Sequence, residues 1–99
     1  MYINSDTSKL GDLEVRQVWA FTAAFGDRVD EHVACELLRA NSKVKVGAWK
    51  LAQNRGGFVA VFAAQISAET DARSLATIVR AVGMTADEKE KELTGKDNL

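Results

Sequence analysis

The sequence predicts an α+β fold in which two helices pack on one face of a small antiparallel sheet of three or four strands. Two observations favour this class. Strand-like segments rich in β-branched and aromatic residues are interspersed with segments whose apolar residues recur at helical spacing. Their order is strand, helix, strand, strand, helix, and in the four-stranded alternative a short strand precedes them. The length of 99 residues suits one domain, residues 1–99, with a modest core.

The first predicted strand spans residues 13–25, and both of its faces are apolar. Alternate positions share a face, with Trp19, Phe21 and Phe25 on one side and Val18, Ala20 and Ala24 on the other. Residues 1–12 are polar and include a turn at Gly11-Asp12. Within them, Tyr2 and Ile3 start either a short strand or a flexible segment.

Two helices are predicted, over residues 30–41 and 70–94. Apolar residues recur three and four positions apart in both segments, which is typical of a helix with one buried face. Asp30 and Thr70 are suitable N-caps, because their side-chain oxygens can accept hydrogen bonds from the first free backbone N–H groups. Gly95 is a suitable C-terminal stop for the second helix.

Residues 44–52 and 58–66 form a predicted hairpin with Asn54 and Arg55 at its tip. The intervening N-R-G-G resembles a phosphate-binding loop only superficially, because no helix follows it and the Lys-Ser/Thr ending is missing. Asn and Gly tolerate the positive φ angles of tight turns, so we interpret this stretch as a turn. Arg55 could then meet an acidic partner. Gly47 is the expected position of a β-bulge.

No catalytic, cofactor-binding or metal-binding constellation stands out, so we expect a protein that is not an enzyme and has no cofactor. His32 and Cys35 lie three apart on one helix, but two ligands make a weak zinc site and a thiol nucleophile needs an orienting group. The net charge of −1 and pI of about 5.8 argue against nucleic acid as a partner. We also expect no signal peptide and no membrane span, and a cytoplasmic location with a free thiol.

The second face of the sheet is the most informative feature. Two helices cover only one face of a small sheet, whereas an antiparallel sheet usually shows water a polar second face. Here that face is apolar, and large exposed apolar patches usually mark interfaces. A second copy of the chain related by a two-fold axis is the simplest cover, so we predict a homodimer. The predicted interface residues are Trp19, Phe21, Trp49 and Val61.

Two stretches resemble the YbjN-like family of bacterial proteins. They are CELLRANSKVKVGAWKLAQNRGGFVAVF, residues 35–62, and LATIVRAVGMTADEKEKEL, residues 75–93. The resemblance implies a fold like that of type III secretion chaperones, commonly dimeric, and a role in regulating sensory transduction, with no catalytic residues to carry over. Family members usually have a further helix and strand before the matched region, and an aromatic residue where this chain has Glu88. We therefore expect part of the sheet to be less covered here.

These observations favour a non-enzymatic protein-binding module, chaperone-like or a regulatory adaptor. Its apolar sheet face or a groove would capture an extended or helical segment of a protein or peptide client. A small-molecule-sensing regulatory domain, with the aromatic residues lining a pocket, is the alternative. An enzyme of unknown chemistry is the least favoured interpretation.

Overall fold

The computed structural model describes residues 2–4 and 6–95. Along the chain, its elements are β1 (Tyr2–Ile3), β2 (Ser8–Leu10), β3 (Leu13–Gly26), α1 (Glu31–Ala40), β4 (Ala48–Asn54), β5 (Gly57–Ser67) and α2 (Ala72–Gly95). This layout confirms the predicted α+β class, with a sheet of five strands rather than three or four.

All strand pairs in the sheet are antiparallel. β5 lies between β3 and β4, while β1 and β2 both pair with the outer edge of β3. The additional strand, β2, folds back onto the start of β3 through Gly11, whose φ of 62° suits a tight turn. The sheet therefore has β4 at one edge and the two short strands at the other.

Both helices pack on the same face of the sheet, called the helix face below. Side chains at alternate strand positions meet one stripe from each helix, as the two periodicities require. The buried core consists of Val18, Ala20, Trp49, Ala60, Phe62 and Ala64 from the strands, Leu37 from α1, and Val82 and Ala86 from α2. Within the described ranges, neither helix combines the length and apolar character needed to cross a bilayer.

The helix starts follow from local hydrogen bonds. Asp30 caps α1 as expected, accepting a hydrogen bond from the His32 N–H (2.8 Å). For α2, the predicted cap Thr70 is wrong. Asp71 Oδ1 accepts from the Ser74 N–H (2.7 Å), whereas the Thr70 hydroxyl donates to the Ser67 carbonyl (2.7 Å).

Two predicted backbone details differ in the structure. β4 begins at Ala48 rather than at residue 44, because Gly47 turns the chain with a φ of 84° just before it. The expected bulge at Gly47 is replaced by two irregularities in β3, between Phe21 and Ala23 and between Ala24 and Gly26. They shift the side-chain alternation, so Phe25 packs against the core instead of sharing a face with Phe21.

Candidate functional site

The sheet face opposite the helices, called the open face below, carries three of the four predicted interface residues. The register sets Trp19 beside Ala63 and Phe21 beside Val61, so the four side chains form one apolar patch. Further side chains on the same face follow from the pairing of β1, β4 and β5, and they are Tyr2, Ala48, Lys50, Ala52 and Val59.

One end of the open face is built by the N-terminal strand. The rings of Tyr2 and Trp19 stack with their centroids 4.4 Å apart and their planes 24° from parallel. Trp19 Nε1 donates a hydrogen bond to Asn4 Oδ1 (3.2 Å), so the indole keeps a polar partner while its ring lies on the sheet. These contacts hold a wide aromatic surface in place at this end.

The centre of the open face is apolar, and its small side chains lie below the larger ones around them. Val61 and Ala63 are buried, although both helices lie on the other side of the sheet. The register explains this, because larger side chains flank them: Trp19 and Phe21 from β3, and Lys50 from β4. Phe21 remains 50% exposed, so a large apolar side chain at the centre of this face is available for contact.

Trp49 does not belong to the open face. It is buried in the core, with its ring centroid 5.0 Å from that of Phe62. Trp49 pairs directly with Phe62, and opposite residues of paired strands share a face. Trp49 was predicted to lie in the interface beside Trp19, but the structure places it in the core on the helix face. Residues of β4 alternate between the faces from the hairpin turn backwards, where Asn54 pairs with Gly57, and this alternation puts Trp49 on the helix face.

The hairpin tip is a turn, as the sequence indicated. Asn54 Oδ1 accepts a hydrogen bond from the Gly56 N–H (2.9 Å), a local arrangement that favours turns. Arg55 is exposed at the tip. The positive φ that the turn needs lies at Gly57 (114°) rather than at Asn54 or Gly56. A Cβ atom on Gly57 would lie only 2.1 Å from the Gly26 carbonyl oxygen, so a second reason for glycine here is close backbone approach.

A second apolar surface lies between α1 and β4 and was not foreseen from the sequence. This edge groove encloses a cavity of about 110 Å³ lined by Ala34, Leu37, Leu38, Trp49, Lys50 and Leu51. The backbone of Trp49, one of the lining residues, is held by the side-chain amide of Asn41, which accepts a hydrogen bond from the Trp49 N–H (2.6 Å) and donates to the Trp49 carbonyl (3.3 Å). The sequence signal was Asn41, the last residue of the first predicted helix.

The polar candidates His32 and Cys35 both lie on α1. Cys35 is a free, exposed thiol, and His32 lies near the start of the same helix. Across residues 2–4 and 6–95, no group of three or more His, Cys, Asp or Glu side chains is arranged to hold a metal ion. In the charged run of α2, Lys89 pairs with Glu92 (2.7 Å) and with Glu36 of α1 (3.8 Å). These contacts join the two helices at the protein surface.

Comparison with known proteins identifies no relative: no family model, no curated protein and no solved structure matches this chain. The resemblance to the YbjN-like family therefore stays a prediction from the quoted residues. The functional argument depends on the two surfaces described above.

Proposed function

We propose that this chain is a non-enzymatic protein-binding module, acting as an adaptor or chaperone-like protein, and that its open face associates with a second copy of itself. The observation that carries this proposal is the composition of that face. Tyr2, Trp19 and Phe21 present aromatic surface there, while both described helices pack on the other side. Aromatic side chains are enriched where proteins bind each other.

Burial of this patch supplies a driving force for association. Apolar surface removed from water contributes roughly 25 cal/mol per Å², and aromatic side chains have the largest areas to bury. Trp19 is already held by its stacking on Tyr2 and its hydrogen bond to Asn4. A side chain that is fixed before binding loses less conformational entropy when the interface forms.

A second copy is the simplest occupant because the patch is largely uncharged. On a two-fold axis, the same patch meets itself, so it must contain no strong like-charge conflict. Lys50 lies on β4, one strand away from β5, with Val61 between it and Phe21. A two-fold axis near Phe21 and Val61 would therefore bury the apolar centre and leave Lys50 toward the rim.

The first test is the solution mass, measured by size-exclusion chromatography with light scattering over a dilution series. We expect a dimer for the wild-type chain and a folded monomer for Phe21→Asp and Trp19→Asp, because a buried unpaired carboxylate opposes association. Met84→Asp is the matched control. Met84 is also an exposed apolar residue, but it lies on α2, so this change should leave the mass unchanged.

Circular dichroism of each variant shows whether the fold survives. A wild-type monomer at all concentrations, or an unchanged dimer mass for both open-face variants with native spectra, would contradict the self-association. If only Met84→Asp abolished the dimer, the interface would lie on the helices and not on the open face.

A further inference from the structure

We propose that the edge groove binds an extended, acidic segment of a partner protein, which joins the sheet as an additional strand alongside β4. This site lies at the edge of the sheet beside α1, and the residue it shares with the rim of the open-face contact is Lys50. The proposal therefore names a second surface and the chemistry of its ligand, and does not depend on whether the chain dimerises.

The first argument is the direction of the backbone groups of β4. Among the described strands, β4 pairs only with β5, so its other edge has no strand neighbour. The bonds between Asn41 and Trp49 show that the Trp49 N–H and C=O point out of this edge. Backbone groups alternate along a strand, and the register of β4 is regular, so Leu51 and Gln53 also point outward. These groups are what strand addition requires.

The second argument is the apolar wall beside that edge. Leu38 of α1 is 69% exposed and Leu51 of β4 is 40% exposed, and the cavity between helix and strand lies next to both. A strand added to β4 would direct alternate side chains toward the helix side. Its apolar side chains would enter the space between Leu38 and Leu51, which gives side-chain selectivity in addition to the backbone bonds.

The third argument is charge. Lys50 is the charged residue in the lining of the groove, which includes no carboxylate, and Arg55 follows at the hairpin tip. Although Lys50 borders the groove through its position between Trp49 and Leu51, its side chain points to the open face of the sheet. The remaining side chains of an added strand would lie beside it, where opposite charges stabilise cross-strand pairs. The favoured ligand thus alternates apolar and acidic residues.

A second copy of β4 fits this edge less well than an acidic peptide does. Symmetric antiparallel pairing about Leu51 would set each Trp49 opposite a Gln53, but Asn41 already occupies the Trp49 backbone groups. Pairing about Ala52 would join Leu51 to Gln53 in both directions, but it would set Lys50 opposite Asn54, with no carboxylate beside it. An acidic peptide can bond to both Leu51 and Gln53 and also pair with Lys50.

The test uses synthetic heptapeptides with blocked ends, labelled with a fluorophore, and binding is measured by anisotropy. A peptide of alternating valine and glutamate should bind at least about tenfold more tightly than one of alternating valine and lysine. Two further peptides have the valine–glutamate sequence with N-methyl groups on alternate backbone amides, one peptide for each register. N-methylation of the amides that face β4 removes the donors that strand addition needs, so we expect about a tenfold or larger loss for one of the two peptides.

Variants of the protein locate the site. Gln53→Pro removes an outward N–H while leaving the bonds to β5, and proline is tolerated at such edge positions. It should weaken binding at least about tenfold, whereas Gln53→Ala, which keeps the N–H, should not. Lys50→Glu should reverse the preference between the acidic and the basic peptide. Amide chemical shifts of the wild-type protein should change at Leu38 and Leu51 on titration.

Three outcomes would overturn the proposal. One is the absence of saturable binding of the acidic peptide below about 1 mM. Another is that both N-methylated peptides bind as tightly as the unmethylated valine–glutamate peptide. This comparison uses the wild-type protein, so it does not depend on the folding of any variant. The third is loss of binding in Phe21→Asp with full binding in Gln53→Pro, which would place the peptide on the open face. The solution mass is measured separately, so failure here and failure of the dimer are distinguishable.

Discussion

The helix face and the open face of the sheet use the same kinds of side chain but differ in their cover. Adjacent β5 residues, Phe62 and Val61, point to opposite faces, and both are buried. Their β3 environments differ: Phe62 pairs with Ala20 beneath the helices, while Val61 pairs with Phe21, which stays 50% exposed. An apolar pattern along a strand therefore indicates which surfaces avoid water, whereas the number and position of the helices decide which of them is already covered.

The largest difference in stability between the two faces should appear when one phenylalanine on each face is truncated to alanine. Phe62 is 1% exposed, so Phe62→Ala should lower the free energy of unfolding by about 3–5 kcal/mol through lost burial and a cavity. Phe21→Ala should cost the monomer only about 0.5 kcal/mol, as is usual for surface changes. Urea unfolding at concentrations where the chain is monomeric measures both. Equal losses would mean that Phe21 is covered within a single chain.

The register between β3 and β5 assigns residues to the two faces. Substitutions at two adjacent glycines test whether close backbone approach at Gly57 fixes this register. Gly57→Ala should destabilise the protein by about 2 kcal/mol or more, because of its positive φ and the close Gly26 backbone. Gly56→Ala is the matched control: the nearest atom to its new Cβ is Asn54 Oδ1 at 3.4 Å, so a change within about 0.5 kcal/mol is expected. Thermal unfolding followed by circular dichroism compares them. Similar losses for both would show that turn flexibility, not close approach, selects glycine at position 57.

The sequence was sufficient for features that depend on local chemistry. The Asp30 cap and the apolar spacing placed α1 within one residue at each end, since capping and helical periodicity involve near neighbours. Strand alternation likewise placed Trp19, Phe21 and Val61 on one face, because they precede the first irregularity of β3 or pair with that part of it.

Features that depend on distant contacts were less accessible. Every residue of β2 is exposed, so no alternation marked it as a strand. The switch of Phe25 to the core side follows from irregularities in β3 that no residue type signals. The edge groove needs α1 and β4 side by side and the Asn41 amide turned toward Trp49, which is a tertiary arrangement.

A smaller effect, opposite in sign, is expected where β3 changes its alternation. Thr22 is buried between Phe21 and Ala23, and within the described structure its hydroxyl has no hydrogen-bond partner. Thr22→Val keeps the branched shape and removes the unpaired group, so it should stabilise the protein by about 1 kcal/mol. Thr22→Ser, which keeps the hydroxyl and loses a methyl group, should destabilise it. Urea midpoints give the order, and a destabilised valine variant would indicate that the hydroxyl has a partner in solution.

The smallest expected effect is the loss of stability at low pH from Asp71, which caps α2, one of the two helices that cover the helix face. The hydrogen bond from the Ser74 backbone N–H lowers the pKa of Asp71 from its usual value of 3.8. Because the folded-state pKa lies below the unfolded one, the stabilising contribution of this carboxylate is present above the unfolded value and is lost as the pH falls through the folded value. Asp71→Asn keeps a side-chain oxygen for the cap but cannot ionise. The difference in Tm between wild type and this variant should therefore shrink as the pH falls below about 4, while Asp12→Asn, an exposed turn residue, serves as the reference.

Since Asp71 starts α2, hydrogen exchange at acid pH should increase first in the opening turns of α2 and leave the β3–β5 pairs protected. A pH-independent Tm difference would mean that the cap acts through its hydrogen bond alone, and that its charge does not help to keep the helix face covered.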